Sequence, residues 1–121
     1  MGTYRELIVW QKSMNLARKV YNATAFFPES EKFGLVSQMR RCSISIPSNI
    51  AEGYGRETNR EQVRFLFISL GSSNELETQV ILSHDFGFID DVNYHDVINL
   101  NEEVNKMLSS LIYRSQHQSP Q

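Results

Sequence analysis

Two glutamates in the middle of the chain are the side chains best suited to acid–base chemistry. Glu52 follows Asn49 by three residues, and Glu75 directly follows Asn74, each within a run of small residues. Paired carboxylates can hold a metal ion or exchange a proton with a substrate, so one interpretation is a hydrolase or nuclease that uses both. The alternative is a structural polar network that fixes how two helices pack, formed by Asn49, Glu52, Ser72 and Glu75. We favour the network, because no histidine and no second converging acid accompanies either glutamate.

The other residues give little support for metal or nucleophile chemistry. The di-iron sites of four-helix bundles need a histidine three residues after a glutamate, and none of the three histidines has that spacing. The only cysteine, Cys42, excludes an intrachain disulfide and lies in an apolar stretch, where a small core residue is expected. No serine lies in a Gly-x-Ser-x-Gly motif, and Gly53-Tyr54-Gly55 lacks the lysine of a phosphate-binding loop. We therefore predict a protein that is not an enzyme, with no catalytic residue, metal or cofactor.

A row of arginines is the remaining candidate for binding. Arg56, Arg60 and Arg64 are spaced four apart, which places them on one face of a helix. Guanidinium groups in a row can bind the phosphates of a nucleic acid. Glu57 and Glu61 alternate with them, so a solvated, ion-paired helix face is an equally good interpretation. The residues predicted to bind nucleic acid are Lys12, Arg18, Lys19, Arg40, Arg41, Arg56, Arg60 and Arg64.

Composition limits the classes of protein to which the chain can belong. With 121 residues, 40% hydrophobic and 21% charged, we expect one globular domain over residues 1–121. The net charge is −2, but residues 1–64 carry ten Lys/Arg against six Asp/Glu, whereas residues 65–121 carry two against eight. This asymmetry indicates either a basic face or charge pairing between helices, and we favour pairing. No apolar run is long enough for a signal peptide or a membrane span, so we expect a cytoplasmic protein without membrane contact.

Apolar residues recur three and four apart along most of the chain, which predicts four amphipathic helices. Their expected bounds are about residues 4–25, 31–54, 59–85 and 91–115, and residues 116–121 form a polar tail that we expect to be frayed. Candidate N-caps precede the last three helices: Ser30, Thr58 or Asn59, and Asp90 or Asp91. Short connections favour an all-α, antiparallel up-down four-helix bundle.

The segment around Pro47 fits two interpretations, a strand and a helix. The run SISIPSNI alternates with period two, as a strand does. We favour a helix, because the run is short, contains a proline and continues the helical stripe on both sides. Pro47 removes one backbone hydrogen bond, so we expect the second helix to be kinked there. The small residues Gly71, Ser72 and Ser73 in the third helix predict close packing of these two helices.

Three blocks of the sequence carry a resemblance to a known family. They read LIVWQKSMNLARKVYNATAFFP, FGLVSQMRRCSISIPSNIAEGYGR and FLFISLGSSNELETQ, and they cover most of the chain. They resemble the small four-helix-bundle family named for proteins encoded in intervening sequences of bacterial 23S rRNA genes. This signature is far longer than a single short motif, which makes it specific. The resemblance implies a four-helix bundle that assembles as a ring-like homopentamer.

The same resemblance implies a class of function. The location of the family's genes suggests association with RNA or the ribosome. A relative that looks like the same bundle, the accessory variability protein of diversity-generating retroelements, binds nucleic acid and a reverse transcriptase. We therefore expect a non-catalytic, oligomeric binding or scaffold protein, with Trp10, Tyr21, Phe26 and Phe65 hidden between subunits. The alternatives are an adaptor for a protein partner that does not bind nucleic acid and, less favoured, a carboxylate-based hydrolase.

Overall fold

Four α-helices make up most of the chain. The computed structural model describes residues 2–117, and its helices are α1 (Ile8–Thr24), α2 (Leu35–Tyr54), α3 (Asn59–Asp85) and α4 (Asp91–Gln116). No strand occurs in that range, so the segment around Pro47 is helical and the predicted all-α class is confirmed. None of the described helices is both long enough and apolar enough to cross a membrane. Most of the predicted frayed tail, from residue 118 onwards, lies outside the described residues.

The core lies between the helices and is built from the apolar stripe of each one. Leu16 of α1, Met39 of α2, Leu76 of α3 and Leu108 of α4 are all fully buried. Burial of a side chain of this size contributes about 2 kcal/mol, so the four stripes are the main source of stability. Their convergence on one core confirms the predicted four-helix bundle.

Where two neighbouring helices touch, the contacting residue numbers increase along one helix as they decrease along the other. Between α2 and α3, Met39 meets Ser83 and Ser45 meets Ser72. Ion pairs between α1 and α4 follow the same order. This is the order of contacts that antiparallel neighbours make. Helix α2 continues through the buried Pro47, and the kink expected there stays a prediction.

Two of the helix starts have the predicted caps. Thr58 precedes α3, and its hydroxyl accepts a hydrogen bond from the Glu61 amide at 3.2 Å. Asp90 precedes α4, and its carboxylate accepts from the Asn93 amide at 2.8 Å. These acceptors satisfy amides that have no partner within the helix. They also fix where the α2–α3 and α3–α4 loops end.

The first two helices begin later than the sequence predicted. A separate 3₁₀ turn, Tyr4–Glu6, precedes α1, and the extended conformation of Leu7 separates the two. The prediction that Ser30 caps α2 is wrong, because this serine lies in a second 3₁₀ turn, Glu29–Glu31. Helix α2 starts at Leu35, where the Glu31 carboxylate accepts from the Leu35 amide at 3.4 Å.

Candidate functional site

The two glutamates that could have formed a catalytic pair lie apart. Glu52 is exposed near the end of α2 and forms an ion pair with Arg56. Glu75 is exposed on α3, with its carboxylate 3.6 Å from the Cys42 sulfur. Position 42 lies ten residues before Glu52 on α2, which corresponds to about 15 Å at the helical rise of 1.5 Å per residue. Two carboxylates at that separation cannot share a metal ion or a proton.

Small polar residues join α2 to α3 at close range. The hydroxyls of Ser45 and Ser72 are 2.8 Å apart, and the Asn49 amide donates to the Ser45 hydroxyl at 3.0 Å. One turn away, the Ser69 hydroxyl donates to the Ile46 carbonyl oxygen at 2.9 Å. Of the four residues predicted to form a structural network, Asn49 and Ser72 therefore lie in one chain of hydrogen bonds. Glu52 and Glu75 lie outside that chain.

The single thiol is buried between two polar side chains of α3. Cys42 lies 3.6 Å from the Glu75 carboxylate and 3.6 Å from the Gln79 amide nitrogen. Burial raises the pKa of the thiol, and the Glu75 carboxylate raises it further. Because the thiolate is the reactive form, this cysteine is a poor nucleophile. The Gln79 amide oxygen, also buried, has no hydrogen-bond partner among the described residues.

A second polar network, which the sequence analysis missed, joins α3 to α4. Asn101 is only 2% exposed. Its side-chain oxygen accepts from the Ser73 hydroxyl at 2.9 Å, and its amide nitrogen donates to the Ser73 carbonyl oxygen at 3.0 Å. Asn105 extends the network, donating to the Ser73 hydroxyl at 3.0 Å and to the Asn74 side chain at 2.9 Å. The signal was present in the sequence, because Asn101 follows Val97 by four residues and precedes Val104 by three, in the α4 stripe.

The prediction that the arginine row lies on one helix face is wrong, because Arg60 and Arg64 lie in the first turns of α3 whereas Arg56 lies in the loop between α2 and α3. The guanidiniums of Arg56 and Arg64 lie 4.8 and 5.3 Å from the centre of the Phe65 ring. Arg56 also pairs with Glu52, and Arg64 lies 3.7 Å from the Glu61 carboxylate. Two members of the row are therefore compensated by carboxylates. Arg60, the third, is exposed and makes no ion pair within residues 2–117.

The other basic residues predicted to bind nucleic acid do not form one surface with this row. Lys12 pairs with Glu103 at 2.9 Å and Lys19 pairs with Asp96 at 2.7 Å, both between α1 and α4. Arg40 is half-buried against α1, and its guanidinium donates to Thr24 and Tyr21 and lies 4.5 Å from the Tyr21 ring centre. Arg18 donates to Asn15, and Arg41 is exposed. These five cations therefore lie on α1 and α2, and the two lysines are paired with carboxylates.

An apolar groove of about 520 Å³ runs between α1 and α2. Trp10, Met14 and Pro47 line it, together with the exposed residues Tyr21 and Ile44. The residues that line the groove are otherwise small or polar: Tyr4, Ala17, Arg18, Asn22, Ser48 and Ala51. The apolar residues in its lining make the groove suited to binding an apolar surface.

The histidines do not assemble a metal centre. His84 lies 2.6 Å from the Asp91 carboxylate and stacks on Tyr94, with ring centres 4.0 Å apart. The hydrogen bond from His84 lowers the pKa of Asp91. Across residues 2–117, no three side chains of the ligating types come together in a group that could hold a metal ion. The His84–Asp91 contact instead joins the end of α3 to the start of α4.

Comparison with known proteins identifies the family. The family model for the 23S rRNA-intervening sequence protein matches residues 5–110. The chain belongs to this family. A crystal structure of a protein of unknown function from the S23 ribosomal protein family of Bacteroides thetaiotaomicron is 29% identical in sequence, with a TM-score of 0.81. That alignment covers 87% of this chain and 98% of the other. No curated protein matches the chain.

Family membership confirms the resemblance seen in the three sequence blocks. The matched region, residues 5–110, includes α1, α2 and α3 and most of α4. The network of Asn101 and Ser73 therefore lies within the family region, as do the arginine row and every residue of the groove except Tyr4. The likeness to the accessory variability protein of retroelements stays a prediction.

Proposed function

We propose that this family member is a cytoplasmic, non-catalytic binding or scaffold protein that assembles as a homo-oligomer. The observation that carries the proposal is the groove between α1 and α2, where Trp10, Tyr21 and Ile44 form an apolar surface that water would otherwise cover. Soluble proteins rarely leave large contiguous apolar surfaces exposed unless another molecule covers them. A second copy of the same chain supplies an apolar surface of the kind that the groove needs.

Helix α3 carries that second surface. Four of its large apolar residues are exposed in the single chain: Phe67, Ile68, Ile81 and Leu82. A contact between the groove of one copy and α3 of the next joins two different surfaces. Head-to-tail contacts of this kind generate a ring when the rotation from each copy to the next adds up to a full circle. A contact between two identical surfaces does not generate a ring. The arrangement therefore supports the homopentamer implied by the family resemblance.

The placement of the four aromatics expected between subunits agrees in part with this interface. Trp10 and Tyr21 line the groove. Phe65 is half-buried between Arg56 and Arg64, and Phe26 lies beyond the end of α1. The proposed interface therefore needs only the first two.

Sedimentation equilibrium or light scattering at micromolar concentration tests the assembly. We expect the wild type to have about five times the 14.0 kDa protomer mass. Ile44→Glu places a charge in the groove at an exposed position and should give monomers or smaller oligomers. Tyr113→Glu, at an exposed residue of α4 outside the groove, is the matched control and should retain the wild-type mass. A wild-type protein that runs as a monomer would refute the proposed assembly.

Association with RNA or the ribosome is a second candidate function, and one observation favours it. The guanidiniums of Arg56 and Arg64 both lie close to the Phe65 ring, and Arg60, one turn before Arg64, is exposed. Guanidinium and aromatic groups together can contact phosphates and stack on bases. A ring of subunits would repeat this group of residues around its circumference. The ion pairs to Glu52 and Glu61 weaken the candidate, because binding through phosphates depends on uncompensated cations.

Filter binding with a structured rRNA fragment, at low and at physiological salt, tests this candidate. The triple variant Arg56→Glu, Arg60→Glu, Arg64→Glu should weaken binding for all sequences and reduce the salt slope by roughly one for each lost phosphate contact. The triple variant Lys32→Glu, Lys106→Glu, Arg114→Glu, at exposed cations outside the row, makes the same change in net charge and is the control. If the wild type shows no salt-sensitive binding at low ionic strength, direct RNA binding is wrong. An adaptor for a protein partner then becomes the better interpretation.

A further inference from the structure

Two loops meet at one end of the bundle. The α1–α2 loop, residues 25–34, and the α3–α4 loop, residues 86–90, contact each other through Phe27 and Phe88, whose ring centres are 5.9 Å apart. The Phe86 ring lies 5.7 Å from the Phe88 ring. Together with Asp85, Asp91 and Val92, which flank the second loop, we call this surface the loop end. It lies at the opposite end of α1 from Ile8.

The loop end exposes large apolar side chains. Phe26 is 86% exposed and Phe33 is 88% exposed, both on the first loop. Phe86 is 59% exposed and Val92 is 79% exposed, on or next to the second loop. A single exposed apolar residue is common in soluble proteins, but four on two loops that touch are a feature of binding surfaces. Aromatic anchors of this kind contribute much of the binding energy of protein interfaces.

The loop end is also acidic. It carries five carboxylates and one cation, Lys32, whose ammonium group lies 5.6 Å from the centre of the Phe33 ring. The carboxylates are Glu29, Glu31, Asp85, Asp90 and Asp91. Asp90 and Asp91 are favourable at the start of α4, where they face the positive end of the helix dipole. The carboxylates of Glu29 and Asp85 make no ion pair within the described part of the chain, and the surface potential here is therefore negative.

We propose that the loop end binds a basic polypeptide segment of a partner protein, one that presents apolar side chains among its lysines or arginines. The exposed phenylalanines receive the apolar side chains, and the surrounding carboxylates attract the cations. A nucleic acid does not fit, because its phosphates would meet the carboxylates. A second copy bound through its own loop end does not fit either, because that contact would bring two acidic surfaces together.

This inference goes beyond the proposed function, since it concerns a surface separate from the groove and from the arginine row. Fluorescence anisotropy with labelled peptides tests it on the full chain. The probe is a short peptide of lysines and leucines. One control peptide has serine in place of leucine, and another has glutamate in place of lysine. We expect saturable binding of the lysine–leucine peptide alone.

Variants of the protein then locate the binding surface. Phe33→Ser with Phe86→Ser should weaken binding of the peptide about tenfold or more, because two aromatic anchors are lost. Glu29→Lys with Asp85→Lys should weaken it by a similar factor and remove most of its salt dependence. Ile8→Ser is the matched control, since Ile8 is 59% exposed at the other end of α1, and it should leave binding unchanged. Circular dichroism confirms that each variant is folded, which is expected at exposed positions.

Three outcomes would overturn the inference. The lysine–serine peptide could bind as tightly as the lysine–leucine peptide, which would show that charge alone accounts for the binding and that the phenylalanines do not contribute. Ile8→Ser could weaken binding as much as the paired phenylalanine variant. The paired phenylalanine variant could lower the oligomer mass, which would make the loop end a contact between copies. Failure of peptide binding would leave the assembly through the groove intact, because Ile44→Glu tests that assembly by mass alone.

Discussion

Replacing Asn101 with alanine should cost more stability than any other polar-to-alanine change on α4. The side chain is 2% exposed and makes two hydrogen bonds to Ser73, at 2.9 and 3.0 Å. Each such bond contributes about 1 kcal/mol net, and loss of the amide also leaves a small hole in the core. We expect Asn101→Ala to lower the free energy of unfolding by about 3 kcal/mol. For a domain of this size that corresponds to a fall in Tm of about 10 °C.

A double-mutant cycle separates the pairwise contact from the hole. Ser73→Ala alone should cost about 2 kcal/mol, because it leaves the Asn101 side-chain oxygen buried without a partner. In the double variant that oxygen is absent as well, so the combined loss should fall short of the sum by about 1 kcal/mol or more. Urea unfolding followed by circular dichroism measures all four proteins, at one fixed protomer concentration because oligomers gain stability with concentration.

Asn99→Ala is the matched control for this cycle. Asn99 is exposed on the same helix, two residues earlier. Alanine has the higher helix propensity, so this variant should be unchanged or slightly more stable. The reasoning is refuted if the free energy of unfolding of Asn101→Ala lies within about 0.5 kcal/mol of the wild type, the usual range of a surface substitution, or if the two single losses simply add.

Three further predictions concern other positions in the fold. Gly53→Ala should destabilise the protein in the same urea experiment, because the new Cβ would lie 2.9 Å from a β-carbon of α3. Gly71→Ala should stabilise it by about 0.5–1 kcal/mol, because the new Cβ would have no neighbouring atom within 4 Å and alanine has the higher helix propensity. Cys42 should react with iodoacetamide more slowly in the folded protein than in urea at pH 8, because burial raises the pKa of its thiol. Since the pKa is higher in the folded state, the protonated thiol should stabilise the fold fully below the pKa of the unfolded state. This stabilisation should be lost as the pH rises through the pKa of the folded state. In an NMR titration the pKa of the Asp91 carboxyl group should lie below its ordinary value, and in His84→Ala it should rise towards that value. Since the pKa is lowered in the folded state, the stability gained from the Asp91 carboxylate should be present above the ordinary pKa of about 3.9 and lost as the pH falls through the folded pKa. Equal stability of the two glycine variants, equal thiol reactivity in both states, or an unchanged Asp91 midpoint would contradict the respective prediction.

The sequence predicted the helices well because apolar spacing directly determines which face of a helix is buried. On α2, α3 and α4 the stripe with this spacing is the buried face, and Met39, Leu76 and Leu108 lie in the core. On α1 the spacing misleads, because Trp10, Met14, Ala17 and Tyr21 recur three and four apart but line the groove, whereas Leu16 is the core residue. The start of α2 was predicted less well, because a serine after a proline fits both an N-cap and a 3₁₀ turn. Only the path of the whole loop places Ser30 in the turn.

The candidate site was predicted only in part, because spacing along one helix says little about distance to another. The arginine row and its ion pairs to Glu61 and Glu52 follow from spacings of three and four. Which residue of α2 lies opposite Glu75 depends on the relative rotation of α2 and α3, which the sequence pattern does not determine; in the structure it is Cys42. The Asn101 network was not predicted, because Asn101 is a lone polar residue in an apolar stripe, whereas the predicted network residues lie among glycines and serines.

The hydroxyl contacts between α2 and α3 have a consequence for how proteins of this kind can change over time. Ser45 and Ser72 touch oxygen to oxygen, and Ser69 reaches the backbone of Ile46. A larger side chain at any of these serines would force the helices apart, so few substitutions are tolerable there. Positions that tolerate so few substitutions keep a sequence signature recognisable. The physical property that such a signature preserves is the short distance between the backbones of α2 and α3. Relatives can therefore keep the same frame while the grooves, charges and loop ends on its outside diverge towards different partners.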